Sequence, residues 1–190
     1  ECIYEPDFLG FSYGYRPGRS SHQALDALFV GISRRKVNWI IDADIRGFFD
    51  NISHEWLMKF MEHRIADRRM LRLLKKWLRA GVSQDGEWSP TRVGTPQGAV
   101  ISPLFANVFL HYVLDLWFEK RLKRRGRGAC FLVRYADDFV VLVQYQDEAQ
   151  MILQALRERF TQCDLALHPE KTRVLSFGRY ERQNAQRQQR

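Results

Sequence analysis

The chain has 190 residues, enough for one domain with an appendage, and its 45% apolar and 13% aromatic content lies far from the composition of disordered chains. Its 30 Lys plus Arg against 22 Asp plus Glu leave a net charge of +8, which favours an anionic partner such as nucleic acid, phosphates or an acidic membrane surface. The cysteines Cys2, Cys130 and Cys163 are scattered, and the histidines show no metal-ligand spacing, so a disulfide framework and zinc chemistry are not expected.

Residues 11–19 carry Gly14, Pro17 and Gly18 and read as a loop. Ser20 to Gln23 is a capping-box pattern that opens a helix with Ala24, Leu25, Leu28 and Ile32 on one face. Residues 38–45 form a strand, and Ser53 is placed to cap a helix whose Leu57, Phe60, Met61 and Ile65 recur at helical spacing. Next, Leu71, Leu74 and Leu78 make an apolar stripe, with Arg68, Arg72, Lys75 and Arg79 as a basic one. Residues 81–95 are a connection with a hairpin around Asp85-Gly86.

Ser102 reads as an N-cap and Pro103 as the first residue of a long apolar helix running toward Lys120. Pro103, Asn107, His111 and Asp115 interrupt the apolar stretch 99–118, which is costly for a membrane span of about 20 residues. Residues 120–127 hold six basic side chains. The runs 131–135 and 139–143, parted by Ala136-Asp137-Asp138, predict a hairpin with carboxylates at its tip. Asp147 and Gln150 open a helix with Ala149, Ile152, Leu153, Leu156 and Phe160 inward, residues 172–177 make a last strand, and 182–190 are almost entirely Gln and Arg. Helices and strands are thus mixed in an α+β class. The N-terminus shows no signal peptide and no initiator Met, so the chain is expected to be cytoplasmic, without a membrane partner, and incomplete at both ends.

Two acidic segments are embedded in apolar β-type sequence, where an unpaired carboxylate carries a large desolvation cost. They are Ile40-Ile41-Asp42-Ala43-Asp44-Ile45-Arg46-Gly47-Phe48-Phe49-Asp50 and Arg134-Tyr135-Ala136-Asp137-Asp138-Phe139. Were their strands neighbours, the carboxylates would repel one another unless cations filled the gap. Oxygen ligation without nearby His or Cys points to Mg²⁺ or Mn²⁺, and two such ions about 4 Å apart are a device for in-line displacement at phosphorus.

Five ordered segments carry a resemblance: Gly14-Tyr15-Arg16-Pro17-Gly18-Arg19-Ser20, Asp44 to Asp50, Gly94-Thr95-Pro96-Gln97-Gly98-Ala99-Val100-Ile101-Ser102-Pro103, Tyr135-Ala136-Asp137-Asp138, and Leu167-His168-Pro169-Glu170-Lys171-Thr172. Together they resemble the reverse transcriptases of the group II intron type, with Ala99 where that family often has a second Gly. The resemblance implies a right-hand polymerase palm, an antiparallel sheet with helices packed on one face, plus part of the fingers, over residues 1–178. Residues 179–190 remain as a basic tail, and no thumb is expected.

The family's site carries over residue by residue. Asp44 and Asp137 would be the chief ligands of two Mg²⁺ ions, with Asp138 completing the acidic set and the Ile45 carbonyl adding an oxygen. Strand alternation sends Asp137 and Asp138 to opposite faces unless the turn reorients one, while Asp42 is supportive and Asp50 a turn residue. Phe49 matches the family's aromatic gate against a ribose 2′-hydroxyl, Gln97 would approach the incoming nucleotide, Arg16 and Arg19 would grip its triphosphate, and Lys171 would protonate departing pyrophosphate.

The implied activity is RNA-directed DNA polymerisation on a bacterial intron-encoded protein, with RNA template, DNA or RNA primer, dNTPs and possible intron RNA as partners. The basic stripe and the 120–127 cluster are candidates for template and primer phosphates. A competing reading is an RNA-binding maturase-like module without polymerase activity; a palm adapted to a defence or diversity-generating system is a further one. The acidic constellation favours the polymerase, since RNA binding alone gives no reason to gather carboxylates.

Overall fold

The computed structural model describes residues 2–80, 82–84, 87–89, 93–95 and 100–177. In chain order the elements are α1 (Ser21–Arg34), β1 (Trp39–Ala43), α2 (Phe48–Asn51), α3 (His54–Glu62), α4 (Arg68–Arg79), β2 (Val82–Gln84), β3 (Glu87–Ser89), α5 (Ser102–Leu110), β4 (Cys130–Tyr135), β5 (Asp138–Val143), α6 (Gln146–Thr161) and β6 (Arg173–Ser176). After α5 the same helix continues to Leu122 through two π-helical stretches, His111–Asp115 and Phe118–Leu122.

The sheet is antiparallel, in the order β4-β5-β1-β6, and a separate hairpin pairs β2 with β3. Alternation explains its two faces. Cys130, Leu132 and Arg134 on β4, Phe139, Val141 and Val143 on β5, and Ile41 and Ala43 on β1 are buried. They meet the long helix, α3 and α6, where Phe139 packs edge-on against Phe160 at 5.9 Å between ring centroids. Asp42 and Asp138 point to the other face and are exposed.

Helices therefore cover one face, as expected, with one addition. α1 lies against the opposite face, where Gly31 meets the Leu142 side chain so closely that any Cβ would displace it. The capping box at Ser20 and Gln23 forms as the sequence predicts. The expected apolar face of α1 forms in part: Ala24 and Gly31 are buried and Leu28 and Ile32 half-buried, whereas Leu25 is 61% exposed. Gly31 marks the point of closest approach, where Leu142 leaves no room for a side chain.

The pairing of β2 with β3 and the helix of residues 146–161 agree with the sequence, the expected turn residues Asp85 and Gly86 lie outside the described residues, and β1 ends at Ala43, two residues early. Ser102 is the first helical residue rather than the cap, which is Ile101, so Pro103 falls second, where a missing N–H is still tolerated. Ser53 occupies the N-cap of α3 without a side-chain capping bond. No helix among the described residues is long and apolar enough to cross a membrane.

Candidate active site

The β4–β5 register pairs Tyr135 with Asp138 and leaves Ala136 and Asp137 as a two-residue turn. Ala136 has φ 57°, a left-handed conformation that costs a non-glycine residue about 1–2 kcal/mol. The turn is held from beneath. Arg134 is wholly buried, and its Nη1 donates to the Ala136 carbonyl at 2.8 Å. Its Nε and Nη2 form a bidentate pair with the equally buried Asp115 at 2.8 and 2.6 Å, and Nη1 also donates to Asn107 Oδ1 at 3.0 Å. Asn107 Nδ2 in turn donates to the Gly14 carbonyl at 2.8 Å. Gly14 sits so close that a Cβ would collide with the backbone of Ala136.

This network was not anticipated from sequence. Its signal was present in Asn107 and Asp115, which break an otherwise apolar helix, and in an Arg on a buried strand. A buried charge needs a partner, so these three residues belonged together.

Asp44 reaches the same turn from β1. The register pairs Ala43 with Phe139, so the next residue falls beside Asp138, on strands about 4.8 Å apart. Burial raises the Asp137 carboxyl above its ordinary value, and the charge of Asp44 adds to the effect. Asp138 is raised by burial and then by the charges of Asp137, Asp44 and Asp42. The acids thus feel one another, as expected of two converging segments. Asp137 sits on the turn itself, and Asp138 shares the open face with Asp42.

The segment after Asp44 is fixed by two backbone bonds, His168 N–H to the Asp44 carbonyl at 2.8 Å and Arg46 N–H to the Ala166 carbonyl at 2.9 Å. Ile45 lies between them, opposite Leu167. In an antiparallel ladder the intervening residue turns its carbonyl the other way, here toward the β4–β5 turn. Lys171 completes the site, with Nζ 3.0 Å from Asp44 Oδ2.

The donor set fits hard divalent cations of an open type. It offers carboxylate and carbonyl oxygens, its acids disfavour ionisation together, and an ammonium already lies against one of them. Among the described residues no three His, Cys, Asp or Glu side chains close into a cage.

The other expected site residues divide. Phe49 is half-buried, edge-on to Phe48 at 5.3 Å between ring centroids, and its carbonyl accepts from Thr95 N–H at 2.7 Å. Gly94, at φ +83°, is pressed against the Phe49 and Asp50 carbonyls. Gln97 lies outside the described residues. Arg19 is exposed, with its guanidinium over the Tyr13 ring.

Arg16 departs from expectation. It is buried, pairs with Glu5 at 2.7 Å, donates to the Leu9 and Ser12 carbonyls at 2.8 and 2.7 Å, and lies over the Phe8 ring. Its donors are committed to the N-terminal segment, so it braces the loop and is not placed to grip a triphosphate. The basic stripe of α4 is exposed, and Lys75 and Arg79 line a cleft of about 960 Å³ with His54, Met58 and Val93.

Comparison with known proteins decides the family. A model of the reverse transcriptase (RNA-dependent DNA polymerase) matches residues 2–189. The chain belongs to the reverse transcriptase family. Its relatives include the group II intron-encoded protein LtrA of Lactococcus lactis, 32% identical over 95% of this chain and 31% of that protein. Another is an uncharacterized 91 kDa protein in the cob intron of Schizosaccharomyces pombe, 41% identical over 63% of this chain and 14% of that protein. The chain therefore spans about a third or less of these relatives' lengths. Bacterial and yeast relatives occur side by side, so the similarity does not assign this reverse transcriptase domain to bacteria.

Among solved structures, apo telomerase from Candida tropicalis superposes with a TM-score of 0.67 at 12% identity, over 94% of this chain and 35% of that one. Telomerase from Candida albicans, solved with a telomeric RNA fragment, gives 0.66 at 14% identity, over 87% and 31%. At such identities the likeness is one of fold, and it agrees with the α+β palm architecture read from the sequence.

Proposed function

We propose that this domain is the fingers and palm portion, residues 1–178, of an RNA-directed DNA polymerase encoded by a group II intron. It transfers a deoxynucleotidyl group from a dNTP to a primer 3′-hydroxyl on an RNA template. The observation that carries the reading is the meeting of Asp44 with the Ala136-Asp137 turn, two acidic segments remote in sequence at one end of the sheet.

In this reading Asp44 and Asp137 hold two Mg²⁺ ions, with the Ile45 carbonyl and Asp138 as further oxygen donors. The ions, when bound, supply positive charge at the attacking and leaving oxygens. The protein's own contribution is position and electrostatics. The Arg134 network braces the backbone of the turn that carries Asp137 before substrate arrives. Arg19 binds triphosphate oxygens, where a guanidinium fork suits the geometry. Phe49 closes against the sugar and leaves no space for a 2′-hydroxyl, and Gln97 contacts the incoming nucleotide. The primer 3′-hydroxyl gives its proton to solvent and attacks the α-phosphorus, the bond to pyrophosphate breaks, and pyrophosphate takes a proton from the Lys171 ammonium, which solvent restores.

The test is primer extension by the full-length protein that contains this chain, with annealed RNA template, dNTPs and Mg²⁺. Asp137→Ala is expected to abolish extension and leave RNA affinity within twofold. Normal extension by that variant overturns the assignment. Absence of extension by the wild type, with RNA binding intact, favours the maturase-like reading instead.

A further inference from the structure

A second basic site lies away from the carboxylates, on the outer surface of the helical layer. It is a cleft of about 520 Å³ between the π-helical half of the long helix and the C-terminal end of α6. Lys120, Arg121, Arg125 and Arg159 line it with Tyr112, Leu116, Trp117, Leu122 and Gln162, and no Asp or Glu is among the lining residues. Lys120, Arg121 and Arg125 are exposed and form no ion pair among the described residues, whereas nearby Lys123 and Arg127 are paired with Glu119 and Asp147.

The architecture of the helix creates this convergence. In an ideal α-helix at about 100° per residue, Leu116 and Arg121 would stand about 140° apart. The wider turns of the π segment bring both to the cleft. Arg159 closes the other side by donating Nε to the Val113 carbonyl at 3.0 Å and Nη2 to the Tyr112 carbonyl at 3.3 Å, which ties α6 to the first π segment. The Tyr112 ring is stacked on Phe60 and His63 and is not free for a base. Recognition here is of charge.

A single phosphate is a poor match for this surface. Residues of the helix from Tyr112 to Leu122 line one wall, and Arg125 follows just beyond the helix end. Lys120, Arg121 and Arg125 cluster at one end of the cleft with no acid among its lining residues and Arg159 on the other wall, more positive charge than one phosphate neutralises, which suits a repeating polyanion. The sheet and its covering helices stand between this cleft and the open face that bears Asp42 and Asp138, so one nucleotide strand at the reaction centre does not also fill it, and Lys120, Arg121 and Arg125 are not placed on the template and primer phosphates expected for the 120–127 cluster.

We infer that this cleft binds the sugar-phosphate backbone of a nucleic acid segment separate from the primer and template at the acidic turn. It gives the domain a second, sequence-independent hold on a structured RNA. This goes beyond the polymerase reading and does not depend on it.

The test compares the full-length wild type with Lys120→Gln/Arg121→Gln/Arg125→Gln, all surface changes, with melting temperature as the check on folding. Affinity for a folded RNA without primer is measured over a range of salt, beside extension of a short annealed primer on a short template. Each phosphate contact contributes about 0.7–0.9 to the slope of log K against log salt. The triple variant is expected to bind RNA at least tenfold more weakly, with the slope reduced by roughly 2, and to extend the short primer within twofold of wild type. Unchanged affinity and slope overturn the inference. So does a loss of short-primer extension in step with RNA affinity, which makes the cleft part of the copying tract. Loss of binding to anionic lipid vesicles with RNA binding intact overturns it as well. Asp137→Ala, run in parallel, reports on the polymerase reading separately, since it leaves the RNA slope unchanged.

Discussion

The ammonium of Lys171 lies 3.0 Å from Asp44 Oδ2, on the carboxylate that opposes the Ala136-Asp137 turn. Two demands meet at that oxygen. In the proposed reaction Asp44 holds a divalent ion, and Lys171 passes a proton to pyrophosphate, so their pairing describes the enzyme at rest. In that reading an ion on Asp44 would take the place of the ammonium and leave Lys171 free to face the leaving group.

On the proposed function Lys171 competes with the metal for Asp44. Its side chain is 66% exposed, and exposed pairs of this kind contribute about 0–1 kcal/mol, which limits the competition to roughly fivefold. Lys171→Gln is expected to lower the Mg²⁺ concentration that half-stabilises the protein by up to that factor while slowing extension at saturating Mg²⁺. Thermal melts across a Mg²⁺ titration, beside extension rates, measure both.

Removal of metal gives the next prediction. Burial and the charge of Asp44 raise the Asp137 carboxyl above its ordinary 3.8. A carboxyl raised in the folded state binds protons there at pH values where the unfolded chain has released them. Stability therefore falls as pH rises from 3.8 through the raised value, and the loss persists at neutral pH. In EDTA at pH 7, Asp137→Asn is expected to melt at a higher temperature than wild type. Mg²⁺ should raise the melting temperature of wild type and leave the variant nearly unmoved.

The ion pair beneath the turn is a separate matter. Removing Arg134 leaves Asp115 charged in a wholly buried site, and breaking such a pair costs about 3–5 kcal/mol. Arg134→Met alone is expected to lose that much in denaturant unfolding. Arg134→Met with Asp115→Leu removes both charges and should recover most of it, because apolar replacement of a buried pair is often neutral or better. The double variant still lacks the Nη1 bond to the Ala136 carbonyl. Its Mg²⁺ requirement should rise and its extension rate stay low at restored stability, an outcome that separates positioning of Asp137 from support of the fold.

What the sequence disclosed was local or carried by ordered motifs. The β4–β5 hairpin is written in period-2 alternation around a three-residue break, and the α1 cap in Ser20 and Gln23, three residues apart. The Arg134 network joins residues 19, 27 and 93 positions apart, and no periodicity records such distances. Arg16 shows the same limit from another side: guanidinium chemistry suits a phosphate and a carboxylate alike, and only the fold shows that Glu5 arrives first. In α1 the apolar spacing was correct as a helix signal. Which stripe would find a partner was decided by Gly31, whose missing side chain admits Leu142.

The last prediction concerns pH and a residue remote from the proposed chemistry. His111 opens the first π segment, is buried, and packs edge-on to Phe8 and Tyr112, and no partner meets its Nδ1 among the described residues. Burial pushes its pKa below 6.5; the negative charges of Asp115 and Asp7 oppose the shift, and the positive charges of Arg134 and Lys120 reinforce it. The folded protein thus keeps His111 neutral where the unfolded chain takes up a proton. Its contribution is fully present above 6.5 and declines as pH falls through that value toward the lowered one, at most about 1.4 kcal/mol per pH unit. Asp137 and Asp138, raised in the fold, slope the opposite way over their own range, so the histidine is isolated by difference. Between pH 7 and 5 the wild type should lose more stability than His111→Phe, which fills the same aromatic surroundings without a titrating group. Equal losses in urea unfolding at the two pH values would assign the acid sensitivity elsewhere.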